Sequence, residues 1–178
     1  MADSVATIRE QAREVNALVE NAEAIVETVS EDAGVGRVDL STVAAESADH
    51  VAETFDATVT TDLPERAPAA ANDAVQSVVN NLAENALEHN DADDPRVELA
   101  VTNCDESVRL RVADNGPGIA DSRKPEHFEP NDGSRHGGGL HLMETLVESY
   151  GGEVRVEDSD AGGTAFVVEL PRCDSDFL

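Results

Sequence analysis

Lysine occurs once in these 178 residues, at position 124, tryptophan never, and Tyr150 is the lone tyrosine. Basic side chains number 12 against 38 acidic ones, for a formal net charge of -26. With no basic patch to meet a phosphate backbone, nucleic acid is excluded as a partner. Cys104 and Cys173 stand far apart and without metal-type spacing. That excludes a thiolate metal centre and points to a reduced, cytoplasmic chain. No apolar run approaches the roughly 20 residues that cross a bilayer, and no signal peptide opens the sequence. Direct membrane contact is therefore not expected, and any membrane sensor is expected to lie elsewhere. Aromatics at 3% beside high charge are also the signature of disorder. The apolar residues, 40% of the chain, recur with regular periods, which excludes that reading and leaves enough for one core.

The periods define elements. Val5, Ala12, Val19 and Val26 recur every seven residues, with Ile8, Val15, Ala22 and Val29 at the second seam position. Residues 4–30 are thus expected to form a heptad helix with one face needing a partner, a second copy of the chain included. Gly34-Val35-Gly36 ends it. A short strand is predicted over Arg37–Leu40, then a helix to about Phe55 with Ser41 as its N-cap. Thr58–Leu63 alternates like a strand, Pro64–Pro68 is a turn, and a helix is predicted from Ala70 to His89. Val97–Asn103 and Ser107–Ala113 make a hairpin. Residues 115–137 are rich in Gly, Pro, Asp and Ser and too long for an ordinary connection, which suggests a functional lid. A helix over Leu140–Tyr150, ended by Gly151-Gly152, and strands near Glu153–Glu157 and Thr164–Leu170 close the chain. Runs of adjacent strands rule out regular βαβ winding. They favour an α+β sandwich, a mixed sheet covered by helices on one face. The organisation expected is a heptad helix over residues 1–33, one domain over 36–172, and an acidic tail over 173–178.

Three segments carry chemistry. In Asn81-Leu82-Ala83-Glu84-Asn85-Ala86 the two asparagines lie at i and i+4 on one helix face, and a hard cation such as Mg²⁺ prefers oxygen ligands of that kind. Asn85 is assigned the metal. In Asp114-Asn115-Gly116-Pro117-Gly118-Ile119 a carboxylate precedes two glycines, so Asp114 can accept from the exocyclic amine of adenine while the backbone passes close to the base. Guanine, with an oxygen there, would be repelled. Gly137-Gly138-Gly139-Leu140 is a glycine run opening a helix, where unpaired N–H groups and the helix dipole favour phosphate oxygens. In this order, with Gly163-Thr164-Ala165-Phe166 near the end, the set resembles the N, G1, G2 and G3 boxes of the histidine-kinase catalytic domain. DNA gyrase, the ninety-kilodalton heat-shock chaperones and the mismatch-repair ATPases share that superfamily. The resemblance covers roughly residues 36–171 and implies a Bergerat fold binding ATP and Mg²⁺. The nucleotide is then held by Asn81, Asn85, His89, Asp114, Gly116, Gly118, Ile119, Gly137, Gly138, Gly139, Leu140 and Thr164. The acidic, lysine-poor composition with small core side chains also resembles proteins of salt-accumulating haloarchaea.

The resemblance assigns roles residue by residue. Asn81 stands where hydrolytic members place a water-activating glutamate, so an amide here resembles the kinases and serves for positioning. Glu84 is a candidate to assist the proton of an incoming histidine; a solvated charge is the alternative. His89 stands where kinases often carry an aromatic or imidazole near the nucleotide, with an exposed helix-end histidine as the alternative. The kinases commonly carry a cation where this chain has Glu88, and Arg135 is the candidate to replace it, ahead of Arg123 and Lys124. His141 stands where a glycine usually packs. A complete kinase resembling this chain would also carry a helical hairpin bearing the phosphoacceptor histidine. Residues 4–30 look like its second helix only, and none of the five histidines, His50 included, has the expected flanks. The expected function is the ATP-binding catalytic domain of a two-component sensor histidine kinase, inactive in isolation. Its partners would be a histidine-bearing hairpin and a response-regulator receiver. An ATP-dependent non-kinase interaction module and an anti-sigma-type serine/threonine kinase remain as alternatives.

Overall fold

The computed structural model describes residues 34–121 and 138–173. The heptad segment and residues 122–137 lie outside them. The described residues form ten elements in order: β1 (Gly36–Asp39), α1 (Leu40–Thr54), β2 (Thr58–Asp62), β3 (Pro68–Ala71), α2 (Val75–Glu88), β4 (Arg96–Asn103), β5 (Ser107–Asp114), α3 (Gly138–Ser149), β6 (Glu153–Asp158) and β7 (Thr164–Pro171).

Five strands pair in the order β2-β4-β5-β7-β6, with β2 parallel to β4 and every other neighbour antiparallel. That is a mixed sheet. The period-two pattern fixes its faces: Leu99 stands opposite Val112, Val112 opposite Phe166, and Phe166 opposite Val156. The next row is Val101, Leu110, Val168 and Val154. These side chains meet Leu40, Val51, Val78, Leu82, Met143 and Val147 of the three helices in one core. The other face carries charge. There Arg109 and Arg155 bond Glu169, whose carboxylate Ser107 also engages at 2.6 Å, and together these donors hold Glu169 below the usual carboxylate range.

Two expectations fail at helix starts. Ser41 does not cap α1; Asp39 does, accepting from the Ser41 N–H at 3.1 Å and from the Ala67 N–H at 2.9 Å. The helix therefore begins two residues earlier than a Ser41 cap would give, and Ser41 is buried, its Oγ without a hydrogen-bond partner. The predicted helix from Ala70 instead begins at Val75, because Pro68–Ala71 forms β3, antiparallel to β1, and Ala69 bridges Arg172 beyond β7. Alanine favours helix by only a few tenths of a kcal/mol, and tertiary pairing overrides it. Asn72 ends the strand: its Oδ1 accepts from the Ala74 N–H at 3.0 Å and from the Tyr150 hydroxyl at 2.5 Å. One acceptor thus joins the start of α2 to the residue that follows α3. Among the described residues no helix is long and apolar enough to cross a membrane.

Candidate functional site

Strand alternation puts Asp114 on the covered face of the sheet. Val108, Leu110, Val112 and Asp114 share the helix-covered face of β5, and Asp114 stands at the strand's end, 7% exposed. Its Oδ1 accepts from the Gly116 N–H at 2.8 Å and from the Thr164 N–H at 3.2 Å. Oδ2 takes neither bond. Burial raises the carboxyl above its usual range, and the two backbone bonds oppose that rise. A buried carboxylate with one oxygen fixed and the other unengaged is suited to accept from a neutral amine, the edge that adenine presents.

The surroundings leave no room for side chains. A Cβ at Gly163 would overlap Asp114 Oδ1 and lie 2.7 Å from the Gly116 nitrogen. Gly118 has φ +74, a conformation natural to glycine, and a Cβ there would stand 3.4 Å from the Gly162 carbonyl oxygen. Ile119 packs half-buried against the core, and Leu140 is buried at the first turn of α3. Gly138 and Gly139 open that helix. Gly137 and Arg135, with His136, Arg123 and Lys124, lie outside the described residues.

Helix α2 supplies the other wall. Asn81 is buried and its Nδ2 donates to the Ser77 carbonyl at 2.8 Å, one turn back. Glu84 is half-buried and bonds His50 of α1, Oε1 to Nε2 at 2.7 Å. Asn85, also half-buried, takes no part in either contact, which leaves its amide oxygen for a ligand. Among the described residues no three His, Cys, Asp or Glu side chains group to hold a metal. The Asn85 oxygen suits a divalent ion that keeps waters and takes its remaining ligands from nucleotide phosphates, as Mg²⁺ does. Glu88 and His89 are exposed at the C-terminal end of α2, and His141 lies 3.7 Å from Glu144 on α3.

Sequence reasoning missed three contributors. His50 has no flanking pattern of its own; only the packing of α1 on α2 places it against Glu84. Asn90 and Asn115 form a side-chain pair across 25 residues, which no periodicity reveals. Gly163 was legible as the start of the Gly163-Thr164-Ala165-Phe166 segment, but its closeness to Asp114 was not.

Residues 70–174 match the model of the family described as histidine kinase-, DNA gyrase B- and HSP90-like ATPase. The C4-dicarboxylate transport sensor protein DctB of Rhizobium meliloti is 37% identical over 102 residues, 55% of this chain and 16% of that protein. The signal transduction histidine-protein kinase AfsQ2 of Streptomyces coelicolor is 32% identical over 183 aligned positions, 95% of this chain and 33% of that protein. The chain thus spans a third or less of the length of these curated relatives. Among solved structures, the ATP binding domain of PrrB from Mycobacterium tuberculosis superposes with a TM-score of 0.69 at 24% identity, covering 79% of this chain and 98% of that one. The fold is shared.

Proposed function

The chain belongs to the histidine kinase-, DNA gyrase B- and HSP90-like ATPase family, and on that premise we propose that it is the ATP-binding catalytic domain of a two-component sensor histidine kinase. The observation that carries this reading is Asp114, tied through one oxygen to Gly116 and Thr164 and open through the other. It selects adenine. The sensor kinases among the relatives favour a kinase over the hydrolytic members, and Asn81, an amide where those members place a base, favours it too.

In the proposed reaction an imidazole nitrogen of a partner helix attacks the γ-phosphorus of ATP, the bond to the β-phosphate oxygen breaks, and ADP leaves. Catalysis is then positioning and charge neutralisation. Asp114 fixes the base, and Ile119, Leu140 and Thr164 bound the pocket. Asn81 and Asn85 face the phosphates, and Asn85 would hold Mg²⁺, which supplies charge neutralisation to the phosphoryl oxygens when bound. Glu84, oriented by His50, is the group placed to receive the proton from the attacking imidazole. Gly138 and Gly139, which open α3, are assigned the phosphate together with Arg135 and Gly137, which lie outside the described residues. The phosphoryl group would pass onward to a receiver aspartate of a response regulator, and residues 4–30 would pair as a homodimer. A cytoplasmic location follows from that partnership.

A second reading rests on Glu88, an exposed acid at the phosphate end of α2 where a cation would aid transfer. It makes the chain an ATP-dependent interaction module without kinase activity. Incubation with γ-labelled ATP and a supplied histidine-bearing hairpin separates the two. Acid-labile label on the hairpin supports the kinase. Tight ATP binding without transfer supports the module, and acid-stable label would point to serine or threonine and overturn both.

A further inference from the structure

Helix α2 runs into the loop Asn90-Asp91-Ala92-Asp93-Asp94-Pro95, which closes onto the turn after Asp114. Asn115 joins the two. Its Oδ1 accepts from the Arg96 backbone N–H at 2.8 Å and from Asn90 Nδ2 at 2.9 Å, and its Nδ2 donates to the Asp94 carbonyl at 2.9 Å. A backbone N–H only donates and a backbone carbonyl only accepts, so neither amide group of this pair can flip without losing main-chain bonds. Asn90 is pinned in the same way: its Oδ1 accepts from the Ala92 N–H at 3.1 Å, leaving Nδ2 for Asn115. The contact continues into the adenine pocket. A Cβ at Gly116 would lie 3.0 Å from Asp114 Oδ1 and 3.4 Å from Asn90 Cγ, so Gly116 is clasped between the carboxylate and Asn90.

We propose that Asn90 is a positioning residue for the nucleotide, holding the 114–118 turn through Asn115 so that Gly116 keeps Asp114 aimed at the base. The proposal rests on reading Asp114 as the adenine acceptor. Asn115 keeps two main-chain bonds when Asn90 is lost, so the turn persists while Gly116 gains freedom. The effect therefore falls on nucleotide affinity and base choice before it falls on the fold.

Asn90→Asp tests this with little change of shape. It keeps the acceptor for Ala92 and replaces the donor to Asn115 by an oxygen facing an oxygen. Calorimetry with ADP should show affinity lower by about five- to tenfold, the weight of one hydrogen bond. The preference for ADP over GDP should narrow. Should Asn90→Asp fail to fold, Asn90→Ala, Asn115→Ala and their combination form a cycle in which, with Asn115 already removed, losing Asn90 costs no further affinity. Wild-type ADP binding in the Asn90 variants, or fully additive losses, would overturn the proposal. Asp114→Asn is the control. If it too binds ADP normally, the adenine assignment fails first; if it alone loses binding, only the role of Asn90 fails.

Discussion

Asp114 gives the pocket two opposite dependences on pH. Burial raises its carboxyl above the ordinary value of 3.8, so its contribution to stability is fully present below that value and is lost as pH rises through the folded value. At neutral pH the folded protein thus carries a buried charge at a cost. The proposed base recognition runs the other way, because only the ionised carboxylate would accept from adenine through Oδ2. Affinity for ADP should therefore fall as pH is lowered, beginning above 3.8, while the Asp114 contribution to the apo fold rises over that range. Asp114→Asn should abolish ADP binding with an unchanged or higher thermal midpoint, since an amide oxygen can still accept from Gly116 and Thr164. Calorimetry beside circular dichroism checks both halves, and a variant that keeps its affinity removes the assignment. Asn85 carries a second prediction at this scale. Asn85→Ala should remove the dependence of ATP affinity on magnesium, read as the ratio of dissociation constants with Mg²⁺ and with a chelator.

The strands and helices were largely legible, and the exceptions share a cause. Alternation in Val97–Val101 and Val108–Val112 gave β4 and β5 within a residue, because one covered face forces a period of two. Pro68–Ala71 escaped notice because four small residues carry no period, and only pairing with β1 makes them a strand. That Asp114 precedes two glycines was legible, whereas the Asn90–Asn115 pair and the His50–Glu84 pair depend on which loops and helices the fold brings together. The turn between α3 and β6 has a steric reason of its own. Gly152 sits so close to β7 that a Cβ there would overlap the Glu169 carbonyl and lie 2.8 Å from Leu170 Cδ2 and 3.0 Å from Val147 Cγ1. The carbonyl is backbone held in the sheet and cannot step aside. Gly152→Ala should then cost roughly 1 to 3 kcal/mol, as overpacking does, measured by urea unfolding. Wild-type stability in that variant would mean that the α3–β6 turn shifts freely.

A chain with a net charge of -26 in 178 residues repels itself, and the molecule as a whole offers few cations in return. Among the described residues, Arg96, Arg109, Arg111 and Arg155 each lie beside carboxylates, so these four cations are already engaged. Pairs on an open surface contribute little, so the remaining acids are balanced mainly by ions from solution. The Debye length is about 10 Å at 0.1 M salt and about 3 Å at 1 M, so repulsion between neighbouring carboxylates reaches across the surface in dilute buffer and fades in molar salt. ATP would bring further negative charge to the proposed site, near which α2 carries Glu84 and Glu88. Both the thermal midpoint and the affinity for ATP should therefore rise from dilute buffer to molar KCl, the reverse of a basic phosphate site, whose affinity falls with salt. A titration from 0.01 M to several molar KCl with magnesium held constant tests the idea, with choline chloride as a second salt to separate screening from specific potassium binding. A protein that is most stable and binds ATP most tightly in the most dilute buffer would show that its charge is balanced within the fold, contrary to the surface described here.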